Sequence, residues 1–253
     1  AYGVTGSYLS TFKQISEMLI GNPNVLWKRS PNGLETHVNR PMNVWGSGGA
    51  HSLYFRKIDE IITHIFNKPL DEQPIGIADM GCGDGTLLKH LYEVVKNKTE
   101  RGKHLQLYPL KIIGADFNKA ARLASTITLQ KTVIEHLVLH VHISNTADYA
   151  ENLKQEYVLD LQQMLNVRSF LDHNRIYSPP KKPFHDTVCN STGAFAFRGR
   201  WIPNKELKQN LIEHFSSWHD YVSKYGLLIL ELHTIPPEVT AHNLGSTTAT
   251  AYD

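Results

Sequence analysis

The sequence predicts an α/β fold: a mostly parallel, doubly wound sheet preceded by an N-terminal helical segment. Three observations carry this. From residue 74 onward, apolar runs of strand length alternate with segments of helical period, the pattern of a parallel sheet covered by helices on both faces. A glycine-rich turn joins the first of these runs to the first helical pattern. The seventy residues before it have mainly helical periodicity.

Taken in order, "TFKQISEMLIG" and "YFRKIDEIITHIF" carry apolar residues at i, i+3, i+4 spacing and predict helices. The stretch between them, "RPMNVWGSGGAHS", is rich in Gly and Ser and predicts a loop. Then "IGIADM" predicts a strand and "TLLKHLYEVV" a helix, followed by "LKIIGAD" and "KAARLASTITLQ", and by "HLVLHVHI" and "YAENLKQEY". "MLNVRSFL" and "GLLILELH" complete five strands, the last of them after the helical "KELKQNLIEHFSSWHDYV". The organisation expected is an N-terminal helical lid over residues 1–73 and a core over 74–253. A long insertion at about 174–203 interrupts the core with four prolines and no clear period. Loops this long inside a compact domain usually serve function or are disordered.

Composition excludes several classes. The 41% hydrophobic and 20% charged residues are ordinary for a soluble globular protein. No apolar run approaches a bilayer span, and the start has neither the basic nor the apolar region of a signal peptide. A net charge of +2 with scattered Lys and Arg argues against a nucleic-acid partner. Cys82 and Cys189 have no metal-ligand spacing and are expected to be reduced thiols in a cytoplasm. With no initiator Met and an abrupt end at "TATAYD", the chain reads as a piece of something longer.

The motif is "IADMGCGDGTLLKHL", residues 77 to 91. Asp79 stands two residues ahead of Gly81, and Gly83 and Gly85 follow at alternate positions. In an open α/β sheet the ligand crevice lies beyond the carboxyl ends of the strands, and glycine there permits close backbone approach. A dinucleotide fingerprint requires a third glycine where Thr86 stands, and no Gly-Lys-Ser/Thr follows for a P-loop. The second strand ends in Asp116, a carboxylate able to accept from both hydroxyls of a cis-diol. It lies 37 residues past Asp79, roughly ten to fifteen more than the short βαβ spacing. The polar insertion "KNKTERGKHLQLYP" accounts for the difference.

"DMGCGDG" resembles motif I of the class I, Rossmann-like S-adenosylmethionine-dependent methyltransferases. That resemblance implies Asp79, Gly81, Gly83 and Gly85 against the methionine part of S-adenosylmethionine and Asp116 on its ribose. A narrower resemblance rests on "MNVWGSGGAHSLYFRKIDEI", "NVRSFLDHNR", "STGAFAFRGRWIPN", "LLILELHT" and "TTATAYD". These are similar to methyltransferase domains of modular polyketide synthases of the trans-acyltransferase type. What it implies is C-methylation at the α-carbon of a β-ketoacyl thioester carried by an acyl carrier protein on its phosphopantetheine arm. The partners implied are that carrier protein and neighbouring domains of the synthase polypeptide, with neither nucleic acid nor membrane. The family's sheet has seven strands ending in an antiparallel hairpin, so this chain is expected to stop short of that hairpin.

By the same resemblance the base is His173, after the fourth strand, paired with Glu231 at the end of the fifth. Both fall at carboxyl ends of predicted strands, which follows from the sequence alone. The chemistry suits them: an imidazole near neutral pH removes an acidified α-proton, and a carboxylate fixes its tautomer and favours its protonated form. His233, on the same strand face as Glu231, is a rival base or substrate contact. A metal pair of His233 with His173 is weighed against, since no ligand spacing near the site compels a metal. The His140–His142 pair on the third strand reads as structural. Trp45, Tyr54 and Trp201 are candidates for a substrate tunnel. Lys181, Lys182, Arg198 and Arg200 are candidates for meeting a carrier protein. O-methylation of a β-hydroxyl and a non-catalytic docking domain are the alternatives. A nicotinamide oxidoreductase fails at Thr86.

Overall fold

The computed structural model describes residues 3–31, 35–132, 134–231 and 237–243. The chain divides into two compact units, Ala1–Ser169 with Trp218–Ile229, and Phe170–Ser217 with Leu230–Asp253.

The first unit begins with helices α1 (Gly3–Ser7), α2 (Leu9–Phe12), α3 (Ile15–Ile20), α4 (Arg40–Phe55) and α5 (Asp59–Phe66). Strand β1 (Gly76–Met80) then leads through the glycine turn into α6 (Thr86–Lys98) and the short α7 (Glu100–Lys103). Strand β2 (Lys111–Asp116), α8 (Lys119–Lys131), β3 (His136–His140), α9 (Thr146–Tyr157) and β4 (Met164–Ser169) follow. In the second unit a two-stranded antiparallel ribbon, β5 (Phe195–Phe197) and β6 (Arg200–Ile202), precedes α10 (Asn204–Val222). Residues of α10 and of β7 (Leu227–Leu230) are shared between the two units. Helix α11 (Pro237–His242) is the last described element.

The five predicted strands are those of the main sheet, ordered β3-β2-β1-β4-β7. β1 pairs in parallel with β2 and β4, and β2 with β3. The order reverses beside β1, which is where an open sheet of this kind presents its crevice. β1 is buried along its whole length, as a strand with neighbours on both edges and helices on both faces must be. Ile77, Leu88, Leu91, Ile112, Ile113 and Leu129 make the packed centre, each at most 1% exposed, and each contributes about 1.5–3 kcal/mol by leaving water.

One expectation is corrected. "RPMNVWGSGGAHS" is the body of α4, not a loop. Asn39 caps it by accepting from the Met42 N–H at 3.2 Å, and Pro41 sits in its first turn. Two of its three glycines, Gly46 and Gly48, are points of close approach. A Cβ on Gly46 would lie 2.6 Å from the Val4 backbone nitrogen, and one on Gly48 only 2.0 Å from Asp84 Oδ2. The insertion has order as well. Glu213 of α10 accepts from the backbone N–H groups of Lys181 and Lys182 at 2.8 and 2.7 Å, and Asn210 donates to the Ser178 carbonyl at 2.7 Å. The β5–β6 ribbon turns through Arg198 and Gly199, both at positive φ, as two-residue hairpins require. Among the described residues no helix is long and apolar enough to cross a membrane.

The glycines of α4 separate packing from propensity. Gly49→Ala, with nothing within 4 Å of the added Cβ, should raise stability by about 0.5–1 kcal/mol. Gly46→Ala gains the same propensity but forces α1 off α4, and should lower stability by about 1–3 kcal/mol. Urea midpoints of the two variants check both signs.

Candidate active site

The turn after β1 is built from positive-φ residues: Gly81 at 80°, Gly83 at 55° and Gly85 at 79°. Side chains at these dihedrals are strained. The Gly81 and Cys82 N–H groups both donate to the Ala115 carbonyl of β2, at 2.7 and 3.1 Å, which bends the chain back over the neighbouring strand. Gly83 is open: a Cβ there meets only the Gly81 carbonyl oxygen, at 4.0 Å. At Gly85 a Cβ would come within 3.0 Å of Ser125 Cα in α8. Thus the first half of the turn offers bare backbone and the second half packs against a helix.

Three carboxylates surround this backbone. Asp79, the fourth residue of β1, is fully buried, and neither of its oxygens has a hydrogen-bond partner. Burial, reinforced by the charges of Asp116 and Asp84, pushes its pKa up to about 8. Asp116 accepts from the Gly83 N–H at 3.3 Å through Oδ2 and from the Asn118 N–H at 2.7 Å through Oδ1. Each oxygen keeps a further lone pair for a ligand donor. Burial raises its pKa too, against those two hydrogen bonds. Asp84 Oδ1 accepts from the N–H of Thr86, the first residue of α6, at 3.0 Å. A cavity of about 420 Å³ adjoins it, lined by Trp45, Ser52, Asp84, Thr86 and glycines of α1 and α4.

In the second unit Phe170 turns the chain sharply after β4 with a φ of 51° and donates its N–H to the Leu230 carbonyl at 2.8 Å. A non-glycine residue there is strained. A 3₁₀ turn over Asp172–Asn174 follows. Glu231 holds that turn with both oxygens. Oε2 accepts from the Asp172 N–H at 2.9 Å and the His173 N–H at 3.4 Å, and Oε1 meets His173 Nδ1 at 2.8 Å. The bond to Glu231 raises the His173 pKa, burial opposes it, and the charges of Glu231 and Asp172 add to the rise. Behind His173, Asp172 Oδ1 lies 2.9 Å from His214 Nε2, with both side chains under a tenth exposed.

Asp79, the three glycines and Asp116 therefore meet at one turn, and His173 meets Glu231. Trp45 borders the cavity beside Asp84, whereas Tyr54, half-exposed, is not among its lining residues. His233 lies outside the described residues. Arg200 is taken up by Glu206 at 2.7 Å and by the Tyr177 hydroxyl at 2.9 Å, so its guanidinium serves the fold of the insertion. His140 ends β3 opposite Asp116, while His142 lies beyond the strand, and both rings pack on the exposed Phe117 at 5.5 and 5.3 Å. His214 was not foreseen. Its signal is a stripe at i, i+4 spacing, Glu206, Asn210, His214 and Trp218, which is buried although mostly polar.

A family model described as "AprA MT2-like domain" matches residues 35–253. No curated protein matches the chain. Among solved structures it is similar to the plantazolicin methyltransferase BpumL in complex with SAH. The identity is 13% and the TM-score 0.44, over 96% of this chain and 69% of that one.

The His173–Glu231 pair gives a titration prediction. Because its folded pKa stands above the ordinary 6.5, the pair's stabilisation is full below pH 6.5 and is lost as pH rises through the folded value. Glu231→Gln keeps an acceptor oxygen for the backbone N–H groups but removes the charge. It should lower the His173 midpoint in an NMR titration. The stability gap between wild type and variant should be largest between pH 5 and 6.5 and should shrink above that range.

Proposed function

The chain belongs to the AprA MT2-like methyltransferase domains, and on that premise we propose that its substrate is a β-ketoacyl thioester on an acyl carrier protein, methylated at the α-carbon. The enzyme is an S-adenosylmethionine-dependent methyltransferase. The cofactor supplies a methyl group already activated on a sulfonium. The turn fits such a group: Gly83 leaves backbone bare, Asp116 retains acceptor positions, and Asp79 is a buried carboxyl group without a partner. In this reading Gly81, Gly83 and Gly85 hold the methionine half and Asp116 the ribose hydroxyls.

The observation that supports a base-catalysed reading is the 2.8 Å contact between His173 Nδ1 and Glu231 Oε1. It fixes the tautomer with the proton on Nδ1, so Nε2 is the basic nitrogen. An α-carbon between a ketone and a thioester is acidic enough for such a base. Removal of its proton leaves an enolate as the nucleophile, and Glu231 stabilises the imidazolium that results. Asp172, fastened to His214, and the backbone contacts to Glu231 keep the imidazole from swinging, which is what a positioned base needs. The carrier protein and the adjoining domains of a synthase are the partners in this reading, and the cytoplasm is its compartment.

The test is a product analysis with S-adenosylmethionine and short pantetheine thioesters, one β-keto and one β-hydroxy, with the added mass located by fragmentation. A methyl group on the α-carbon is expected. A methyl group on the β-oxygen would move the reading to O-methylation, and none on either would remove it. His173→Ala should cost roughly 10² to 10⁴ in rate and leave donor affinity nearly unchanged. Asp116→Ala should weaken donor binding by about 1–3 kcal/mol. If His233→Ala abolishes turnover and His173→Ala does not, the base is His233.

A further inference from the structure

The carboxyl group of Asp79 has no structural partner to explain it. It is 0% exposed and neither oxygen accepts a hydrogen bond. Buried carboxyl groups in folded proteins are nearly always bonded, and each exception calls for a cause. A second unsatisfied group stands in the same region. The Tyr149 hydroxyl of α9 is buried without a partner, and its ionisation is opposed by burial and by the charges of Cys82 and Asp79. The charges of Asp116, at the end of β2, and of Asp84, in the turn, both oppose a negative charge on Asp79. The Cys82 thiol is itself pushed up by burial and by Asp79 and Asp116, so it is neutral. The cations of the neighbourhood, Arg122 and Arg40, act on Asp116. The turn therefore combines a buried carboxyl group, two further carboxylates and open backbone.

We propose that Asp79 is a proton-linked counter-charge for the methyl donor: neutral in the free protein, it releases its proton to solvent when a sulfonium enters the turn and takes one back when that sulfonium becomes a thioether. The inference rests on the reading that the Gly81–Gly85 turn holds the donor. The donor carries one positive charge more than the demethylated product, while the rest of the two molecules is shared. A buried charge with a low-dielectric surround reads that difference strongly. In the free protein the elevated pKa of about 8 keeps Asp79 protonated at neutral pH. An arriving cation lowers the pKa and shifts the equilibrium to the carboxylate. After transfer the positive charge is gone, the carboxylate is again unpaired, and its reprotonation from solvent removes the electrostatic hold on the product. Asp79 thus makes the site prefer donor over product without contacting the methyl group.

The test is titration calorimetry of the full chain at pH 7 in two buffers of different ionisation heat, with S-adenosylmethionine and with S-adenosylhomocysteine. The donor should release about one proton per site and the product far less. Donor affinity should climb by up to about tenfold per pH unit below pH 8 and level off above it, while product affinity stays nearly flat. In Asp79→Asn the proton release should vanish, and the donor-to-product affinity ratio at pH 8.5 should narrow by about a hundredfold or more, because release of about one proton at pH 7 requires the pKa to fall by at least about two units on donor binding. Equal proton release with the two ligands, or release that persists in Asp79→Asn, would overturn the proposal. If Asp79→Asn does not fold, the two-ligand comparison on wild type decides alone. Failure of both ligands to bind wild type would defeat the underlying reading of the turn, and the proposal with it.

Discussion

The bond pair from Gly81 and Cys82 to the Ala115 carbonyl is the constraint on which the glycine turn after β1 and the carboxylates around it depend. A parallel strand has no hairpin with which to turn, so β1 must leave the sheet at its carboxyl end while its neighbour β2 continues. Two N–H groups on one carbonyl hold the chain against β2 as it leaves, and the positive φ values of Gly81, Gly83 and Gly85 let it rise and enter α6. Asp116 then follows from register: β2 runs one residue past the end of its pairing with β1, and its carboxylate accepts from the Gly83 N–H. One backbone geometry thus sets both the bare surface of the turn and the position of the carboxylate beside it.

The second unit solves a different problem with the same economy of groups. On the proposed reading His173 is a base, which has to be fixed in tautomer and direction, and the turn carrying it is too short to do so alone. Glu231 supplies both constraints by bonding two backbone N–H groups and the ring of His173. The left-handed Phe170 is the cost of bringing that turn to the end of β7. Helix α10 supports the whole arrangement with a buried polar face. His214 holds Asp172, Asn210 meets Arg175 at 3.0 Å and the Ser178 carbonyl, and Glu206 meets Arg200.

How much of this was legible in the sequence depended on whether the relevant period was local. The five strands and the glycine turn were legible because parallel strands are continuous apolar runs and the glycines answer a local dihedral demand. His173 and Glu231 were placed at strand ends by the same pattern. Helix α4 was not legible, because its glycines signal a loop by composition. Gly46 and Gly48 are there because Gly3, Val4 and Asp84 approach the helix more closely than a Cβ allows, a tertiary fact. The polar stripe of α10 misleads for a related reason: Glu206, Asn210 and His214 resemble a solvent face, yet they are buried to satisfy the irregular backbone and side chains of the insertion. The β5–β6 ribbon has only three residues a side, too short for alternation to stand out.

The central claim is that His173, steadied by Glu231, removes the α-proton before a methyl group moves. Exchange of deuterium at the α-carbon isolates that step, with S-adenosylhomocysteine in place of the donor so that no methyl transfer follows. The account predicts washout of label from a β-ketoacyl pantetheine thioester by wild type, slower washout by Glu231→Gln, and retention of label by His173→Ala. Washout at the wild-type rate in His173→Ala, or retention of label by wild type, would contradict it.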